Sequence, residues 1–391
     1  QLMVDKSFLD WPFFEDRPGK LAKRLDDWAG SNLGAIDHKD VDAACRQLVA
    51  TLGQDGWLDW TAIDPSDPSS KLDVRSLCII RETLARHDGL VDFAFAMQGL
   101  GTGAISLFGT AAQKCAWLAK TRAGKAISAF ALSEPKSGSD VASMDLAATR
   151  DGDSYVLDGE KTWISNGGIA DIYTVFARTG EAPGSKGISA FLVPADTSGL
   201  HIAERLEVVA AHPLARISFE GCRVGADAMI GRPGDGFRIA MSVLDVFRST
   251  VAAAALGFAR RALDESIHRV QTRELFGAPM FELQMIQGHL ADMALDVDAA
   301  ALLVYRAAWL KDKGAARVSR EAAMAKLYAT DRAQEVIDKA VQIHGGDGVR
   351  KGHVVERLYR EIRALRIYEG ASDVQRVIIA RQTLANAPAG G

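Results

Sequence analysis

The residues able to do chemistry fall in three well-separated segments. Leu132-Ser133-Glu134-Pro135-Lys136-Ser137-Gly138-Ser139-Asp140 turns the end of an apolar run into a loop of hydroxyls and glycine. Its backbone donors can hold a phosphate or the polar edge of a heterocycle, and a serine-rich turn is the equally open alternative. Trp163-Ile164-Ser165-Asn166-Gly167-Gly168 sets an indole face and a hydroxyl at the end of another run, which suits a flat aromatic ligand or a core tryptophan. Near the C-terminus Ile367-Tyr368-Glu369-Gly370 places a carboxylate between bulky residues and a glycine, after the basic stretch 357–366. Glu369 is either a base whose pKa an apolar pocket raises or a solvated acid paired with those arginines. His344, beside Gly345-Gly346, acts on a substrate or is structural. The sequence has no H-E-x-x-H, no G-x-S-x-G and no clustered His/Cys set, so no metal and no serine-hydrolase chemistry is expected. Gly99, Gly101 and Ala104 satisfy a loose G-x-G-x-x-[GA] pattern, but no acid follows before Glu134, and close helix packing explains these glycines better than a dinucleotide.

The elements that must position these segments change texture twice along the 391 residues, a length that suggests two to three domains. From 20 to about 125, apolar residues recur at three- and four-residue spacing, as in Leu77, Ile80 and Leu84, which predicts helices; Pro65 and Pro68 mark a loop among them. Between 126 and 236 short β-branched and aromatic runs predict strands, with Asp158-Gly159 expected as a hairpin turn. From 237 onward long helical periods return (Leu244, Phe247, Val251, Phe258, Leu263, Ile267, Val270; then Ile286, Leu290, Met293, Val297; then 327–343). Short connections at 276–279 and around Gly314 fit an antiparallel bundle. The expected organisation is therefore α+β, with an α-helical domain over 1–125, a β domain over 126–236 and an α-helical bundle over 237–391, ending in a frayed tail at 387–391.

Composition removes several partner classes. A net charge of −4 gives no global positive field for nucleic acid or an anionic membrane surface, so neither is expected as a partner. Four scattered cysteines, Cys45, Cys78, Cys115 and Cys222, make no disulfide framework and suggest reduced thiols in a cytoplasmic setting. The acids Asp5, Asp10, Glu15 and Asp16 argue against a secretory leader. The uncharged stretch 93–113 contains Gln98, Thr102 and Ser106, and it reads as a buried core segment rather than a membrane span.

Taken in order, the motifs resemble the acyl-CoA dehydrogenase family of flavoproteins over residues 77–383. Those that carry the likeness are Phe130-Ala131-Leu132-Ser133-Glu134-Pro135, Gly138-Ser139-Asp140, Gly159-x-Lys161-x-Trp163-Ile164-Ser165-Asn166, Arg273-x-x-Phe276-Gly277, Gln342-Ile343-His344-Gly345-Gly346 and Tyr368-Glu369-Gly370. The resemblance implies a helical domain, a central β domain and a C-terminal four-helix bundle. It implies FAD, with Phe130, Leu132, Ser133, Trp163 and Ser165 lining the flavin ring and Gly138 and Ser139 touching its pyrophosphate. Arg273, Phe276, Gln284, Gln342, Gly345 and Gly346 match residues that reach the FAD of a neighbouring subunit, so a homo-oligomer, usually a tetramer, is implied. Asp245 and Arg248 match contacts to the pantetheine and nearby phosphate of an acyl-CoA, and Ser139, Tyr368 and Gly370 join them as substrate contacts.

The same resemblance implies the chemistry. Glu369 removes the α-proton of an acyl-CoA thioester while the β-hydride goes to flavin N5, and electrons pass on to an electron-transferring flavoprotein; an acyl-CoA oxidase or another flavin-dependent elimination is the alternative. Relatives that carry the base on the helix beginning near Phe237 would have it at the position of Phe247, which leaves Glu369 as the candidate. Ala371 replaces a common Thr, and so removes one hydroxyl contact. The wording around Glu134–Asp140 and Ala371-Ser372-Asp373-Val374 leans toward the glutaryl-CoA dehydrogenase branch, but Asp92 stands where that branch has an arginine for the distal carboxylate. Glutaryl-CoA is therefore not expected as substrate. Asp92 itself is expected to be a helix-surface acid rather than a contact for a polar acyl tail.

Overall fold

The computed structural model describes residues 5–34 and 36–385; the expectation of a frayed tail at 387–391 lies outside them. Helices occupy the first third: α1 (Asp16–Asn32), α2 (Val41–Gln54), α3 (Val74–His87), α4 (Gly89–Phe108) and α5 (Ala111–Arg122). The middle carries β1 (Ser128–Ala131), β2 (Ala147–Asp151), β3 (Ser154–Ser165), β4 (Ile172–Arg178), β5 (Ile188–Pro194), β6 (Leu200–Arg205), β7 (Leu214–Gly225) and β8 (Met229–Ile230). The last third returns to helices: α6 (Gly236–Thr272), a small hairpin of β9 (Glu274–Leu275) and β10 (Ala278–Pro279), α7 (Gln284–Asp312), α8 (Ser319–His344), α9 (Val354–Leu365) and α10 (Ser372–Ala385). Helix, sheet and helix thus follow in the order that the hydrophobic periods predict.

By their contacts these elements form two compact units. Among the described residues one comprises 5–34, 73–92 and 248–385, and the other comprises 36–72 and 93–247, so the division falls within α4 and within α6. The second unit holds the whole large sheet, with strand order β6-β7-β3-β2-β4-β5-β8 and β1 added in parallel to β4. Strands β4 and β5 are buried nearly throughout, as their continuous Val, Ile, Phe and Ala content requires. The turn of the β2–β3 hairpin is not at Asp158-Gly159. It falls at 152–153, where Gly152 has φ +60°, and Asp151 pairs with Ser154. Gly159 instead marks a register shift inside the continuous strand β3, at φ +139°, where a Cβ would meet the Leu146 backbone at 2.9 Å. A glycine at a bulge and one in a turn have the same sequence signature.

The glycines of α4 serve packing, as the sequence suggests. A Cβ on Gly101 would meet Ser128 Oγ at 2.3 Å, one on Gly99 would meet the Phe247 ring at 2.7 Å, and Thr174 Oγ1 donates to the Gly101 carbonyl. Gln98 fixes the same helix to the sheet, donating from Nε2 to Thr121 O and Ala126 O while Oε1 accepts from Ser128 N. Such pairing explains how a helix long and apolar enough to cross a membrane carries Gln98 and Thr102 at full burial.

In the first unit the bundle is built on small residues. Ala252–Ala255 of α6 and Ala322, Ala323, Ala325, Ala329 and Ala333 of α8 are buried, which lets backbones approach closely. α3 is capped by Asp73, which accepts from Ser76 N, and it is tied to α7 by Asp312, which accepts from the Val74 and Arg75 amides and from Arg75 Nε. Gly101→Ala should lower unfolding free energy by about 1–3 kcal/mol, because the added methyl must displace backbone across a packed contact. Urea denaturation checks this, and an unchanged midpoint would contradict the close-approach reading.

Candidate functional site

In the sheet unit the two aromatic- and hydroxyl-bearing segments are bound to each other. Thr162 N donates to Ser133 O at 2.9 Å, Asn166 Nδ2 donates to Ser128 O at 3.0 Å, and Lys161 Nζ donates to Leu132 O at 2.9 Å. The register of β3 against β7 shifts between Lys161 and Ile164. This bulge puts Trp163 in the left-handed region, at φ +57°, with its side chain 59% exposed. A bulge re-aims a side chain, and here it turns an indole out of the core, so the core-tryptophan reading fails. Ser165, two residues on, is half-buried, as are Phe130 and Ser133, and Leu132 is buried. Gly138 and Ser139 are exposed, with nothing within 4 Å of a Cβ built on Gly138.

Beneath this loop lies an ion pair that motif reading alone did not assign. Lys161, fully buried, reaches Glu134 Oε1 at 2.8 Å, and the Glu134 carboxylate also accepts from the amides of Asp145 and Leu146. Burial pushes the Lys161 ammonium down to about 8 while Glu134 pulls it back up. The loop closes on itself through Glu134 N to Ser137 O and Ser137 N to Glu134 O. Ser137 Oγ is buried with no hydrogen-bond partner among the described residues.

The bundle unit carries the carboxylate. Glu369 follows α9 in a turn with φ +53°, and Gly370 follows at φ +90°. A left-handed L-residue costs roughly 1–2 kcal/mol, so the turn must be held. Lys326 Nζ donates to Tyr368 O at 2.8 Å and to Gly370 O at 2.7 Å, Arg248 Nε donates to Glu369 O at 3.3 Å, and Gln375 Nε2 donates to Gly370 O at 2.9 Å. Three successive carbonyls are thereby taken up by side chains from α6, α8 and α10.

The glutamate is half-exposed as a residue, yet its Oε2 is buried and has no hydrogen-bond partner among the described residues. Burial raises its pKa; Arg81, Lys326 and Arg248 pull it down and Asp92 pushes it up. It is thus not a solvated acid paired with the arginines of 357–366. Arg366, the last of these, pairs with Asp331 instead.

One expectation changes. Asp92 is not a helix-surface acid: it is 4% exposed, and Arg81 grips it through Nε and Nη2 at 2.9 and 2.8 Å while Nη1 donates to Thr250 Oγ1. The three- and four-residue periodicity of the sequence put Asp92 on a helix without revealing that a cation on the preceding helix neutralises it. Arg248, expected near the substrate, is buried and donates from Nε to the Glu369 carbonyl. Of the other expected substrate contacts, Asp245 is half-buried, Tyr368 exposed and Gly370 half-buried.

Arg273, Phe276, Gln284, Gln342, Gly345 and Gly346 are all exposed. Phe276 is 96% exposed at the tip of the β9–β10 hairpin, where it and Gly277 take φ +54° and +79°, as a two-residue hairpin turn demands. His344 is buried and bonded through Nδ1 to Ala340 O, which makes it structural.

The acyl-CoA dehydrogenase N-terminal, middle and C-terminal domain families match residues 22–125, 129–222 and 234–384. The chain belongs to the acyl-CoA dehydrogenase family. It is 45% identical over 349 residues to the mitochondrial short-chain specific acyl-CoA dehydrogenase of Bos taurus, covering 88% of this chain and 84% of that protein. The butyryl-CoA dehydrogenase structure from Megasphaera elsdenii superposes with a TM-score of 0.87 at 32% identity, over 95% of this chain and 99% of that one. A glutaryl-CoA dehydrogenase in complex with glutaryl-CoA gives a TM-score of 0.86 at 29% identity, over 96% of each chain. Acyl-CoA dehydrogenases are FAD-dependent oxidoreductases acting on CH–CH bonds, and an acyl-CoA substrate is implied for this one. The residues present fit the cofactor: an outward indole, an uncrowded glycine and an orphaned buried hydroxyl lie within one hydrogen-bonded pair of segments.

Asp92→Ala should cost about 3–5 kcal/mol, because it leaves the Arg81 guanidinium buried and uncompensated. A loss within about 0.5 kcal/mol in urea denaturation, the range of an ordinary surface change, would restore the surface-acid reading.

Proposed function

We propose that this acyl-CoA dehydrogenase removes the α-proton and β-hydride of a short, straight-chain acyl-CoA thioester to give the trans-2-enoyl-CoA, with Glu369 as the base. One observation carries the reading: the buried, unpartnered Oε2 of Glu369 on a left-handed residue that three side chains hold in place. A carboxylate oxygen with a hydrogen-bond partner would have to give it up before accepting a proton. Oε2 has none to give up among the described residues.

An α-proton of a thioester is weakly acidic, so removal needs donors to the thioester carbonyl as enolate character develops. The Glu369 backbone N–H is assigned that part. Burial moves the carboxyl upward, toward the pH at which a general base works best. Arg81, Lys326 and Arg248 oppose that rise, because each positive charge favours the ionised carboxylate. FAD, when bound, supplies the hydride acceptor. Phe130, Leu132, Ser133, Trp163 and Ser165 would hold its ring and Gly138 and Ser139 its pyrophosphate, with Lys161 and Glu134 fixing the loop from beneath.

The short acyl group is supported by the relatives' names, short-chain specific and butyryl-CoA dehydrogenase. Against a glutaryl group stands the commitment of the Arg81 guanidinium to Asp92 and Thr250. Exposed Phe276, Met285, Leu295 and Val349 on the bundle unit leave apolar surface to be covered, which supports assembly into a tetramer with Arg273, Phe276, Gln284, Gln342, Gly345 and Gly346 directed to a neighbour's cofactor. An electron-transferring flavoprotein is the proposed acceptor.

Purified protein should be yellow, and butyryl-CoA should bleach it anaerobically. Glu369→Gln should keep the flavin yet slow bleaching by several orders of magnitude; near-normal reduction would assign the proton to another group. The sign of the pH effect follows from the raised pKa. The base works only when deprotonated, so the bleaching rate should fall with decreasing pH at a value above the ordinary glutamate figure of about 4.3. A rate that holds steady down to that value, in stopped-flow measurements across pH, would contradict the burial argument.

A further inference from the structure

Lys326 belongs to none of the motifs that carry the family likeness, and nothing in its sequence context marks it. In the structure it is fully buried in α8, among the alanines at 322, 323, 325 and 329. A lysine is almost never buried completely unless it is paired. Its ammonium donates to the carbonyls of Tyr368 and Gly370, the residues on either side of Glu369, at 2.8 and 2.7 Å. Bonds to the carbonyls of residues n−1 and n+1 pin the peptide unit before residue n and the one after residue n+1, and so bracket the left-handed pair Glu369 and Gly370. The residue between them is the one held at φ +53°.

We propose that Lys326 is the positioning residue of the base. Its buried ammonium bridges the two carbonyls that flank Glu369, keeps that residue left-handed and places a fixed positive charge beside its carboxylate. The proposal rests on Glu369 being the base. Arg248 and Gln375 also reach this turn, but each donates to carbonyls at 369 or 370 and neither spans the glutamate. A neutral donor would serve for the geometry alone, and burying a cation is costly; the charge is what a neutral donor could not supply. The charged groups that face Glu369 are Arg81 on α3, Asp92 on α4, Arg248 on α6 and Lys326 on α8. Arg81 is neutralised by Asp92 at 2.8 Å. Lys326 is itself faced by Glu369, Arg248 and Asp331, and burial brings it down to about 8, so it is protonated at neutral pH.

The test uses the FAD-loaded enzyme with butyryl-CoA, comparing wild type, Lys326→Met, Lys326→Gln and Glu369→Gln in anaerobic stopped-flow bleaching across pH. Lys326→Met removes both donors and the charge, and Lys326→Gln keeps a donor without the charge. Both should fold, bind FAD and bleach about a hundredfold more slowly than wild type at their own optimum in the Met case, less so in the Gln case. In both, the acid limb of the rate profile should move to higher pH by about one pH unit, because a positive charge that favoured the ionised carboxyl has gone. A lysine that merely stabilised the fold would lower the amount of active enzyme and leave the limb in place. An unmoved limb in both variants therefore overturns the proposal, and so does failure of both to fold as yellow protein, which would make Lys326 a residue of the fold. Normal bleaching by Glu369→Gln would instead remove the base assignment beneath it.

Discussion

Side chains from three helices take up the carbonyls of Tyr368, Glu369 and Gly370, and on that capture depends a turn that the backbone alone would not choose. The left-handed conformation at Glu369 is disfavoured for any residue with a Cβ. It persists because three successive acceptors have charged or amide donors that they would lose if the turn relaxed. The arrangement leaves one carboxylate oxygen out of water with no hydrogen-bond partner among the described residues. Elsewhere in a core such an atom would be a defect costing about 1–3 kcal/mol, and here it is the site at which a proton can arrive.

The sheet unit uses a lysine in a similar way for a different end. Lys161 bonds the Leu132 carbonyl and the Glu134 carboxylate, which in turn takes the Asp145 and Leu146 amides. The result is a rigid underside to a loop whose upper residues, Gly138 and Ser139, are open. Trp163 turns outward from the same two segments through a bulge, and so a wide aromatic face is offered without a hole in the core. Each unit therefore spends a buried lysine on backbone carbonyls, Lys161 on that of Leu132 and Lys326 on those of Tyr368 and Gly370.

Helix, sheet and helix were legible because hydrophobic period reports burial on one face, and the loops at Pro65 and Gly314 because those residues have restricted or unusual dihedrals. Asp158-Gly159 misled for a related reason: glycine marks a positive φ without telling a turn from a bulge. The roles expected of Trp163 and Glu369 came with the order of the motifs, since each alone had an unremarkable reading. The partners of Asp92 and Glu369 were not legible, because an ion pair such as Arg81–Asp92 joins residues on successive helices, and Lys326 is 43 positions from Glu369. A buried lysine and a solvated one look the same in a one-dimensional pattern, and only packing separates them.

The central claim is that Glu369 carries the α-proton, and it can be isolated from every later step with an acyl-CoA whose third carbon is replaced by sulfur. Such a thioester has α-protons and no β-hydride, so it can exchange but cannot be oxidised. In deuterated buffer the wild-type enzyme should wash its α-position with solvent deuterium, read by proton NMR or mass spectrometry, while Glu369→Gln with the same FAD content should leave the α-protons in place. Exchange at equal rates in the two proteins would show that the carboxylate is not the group that takes the proton.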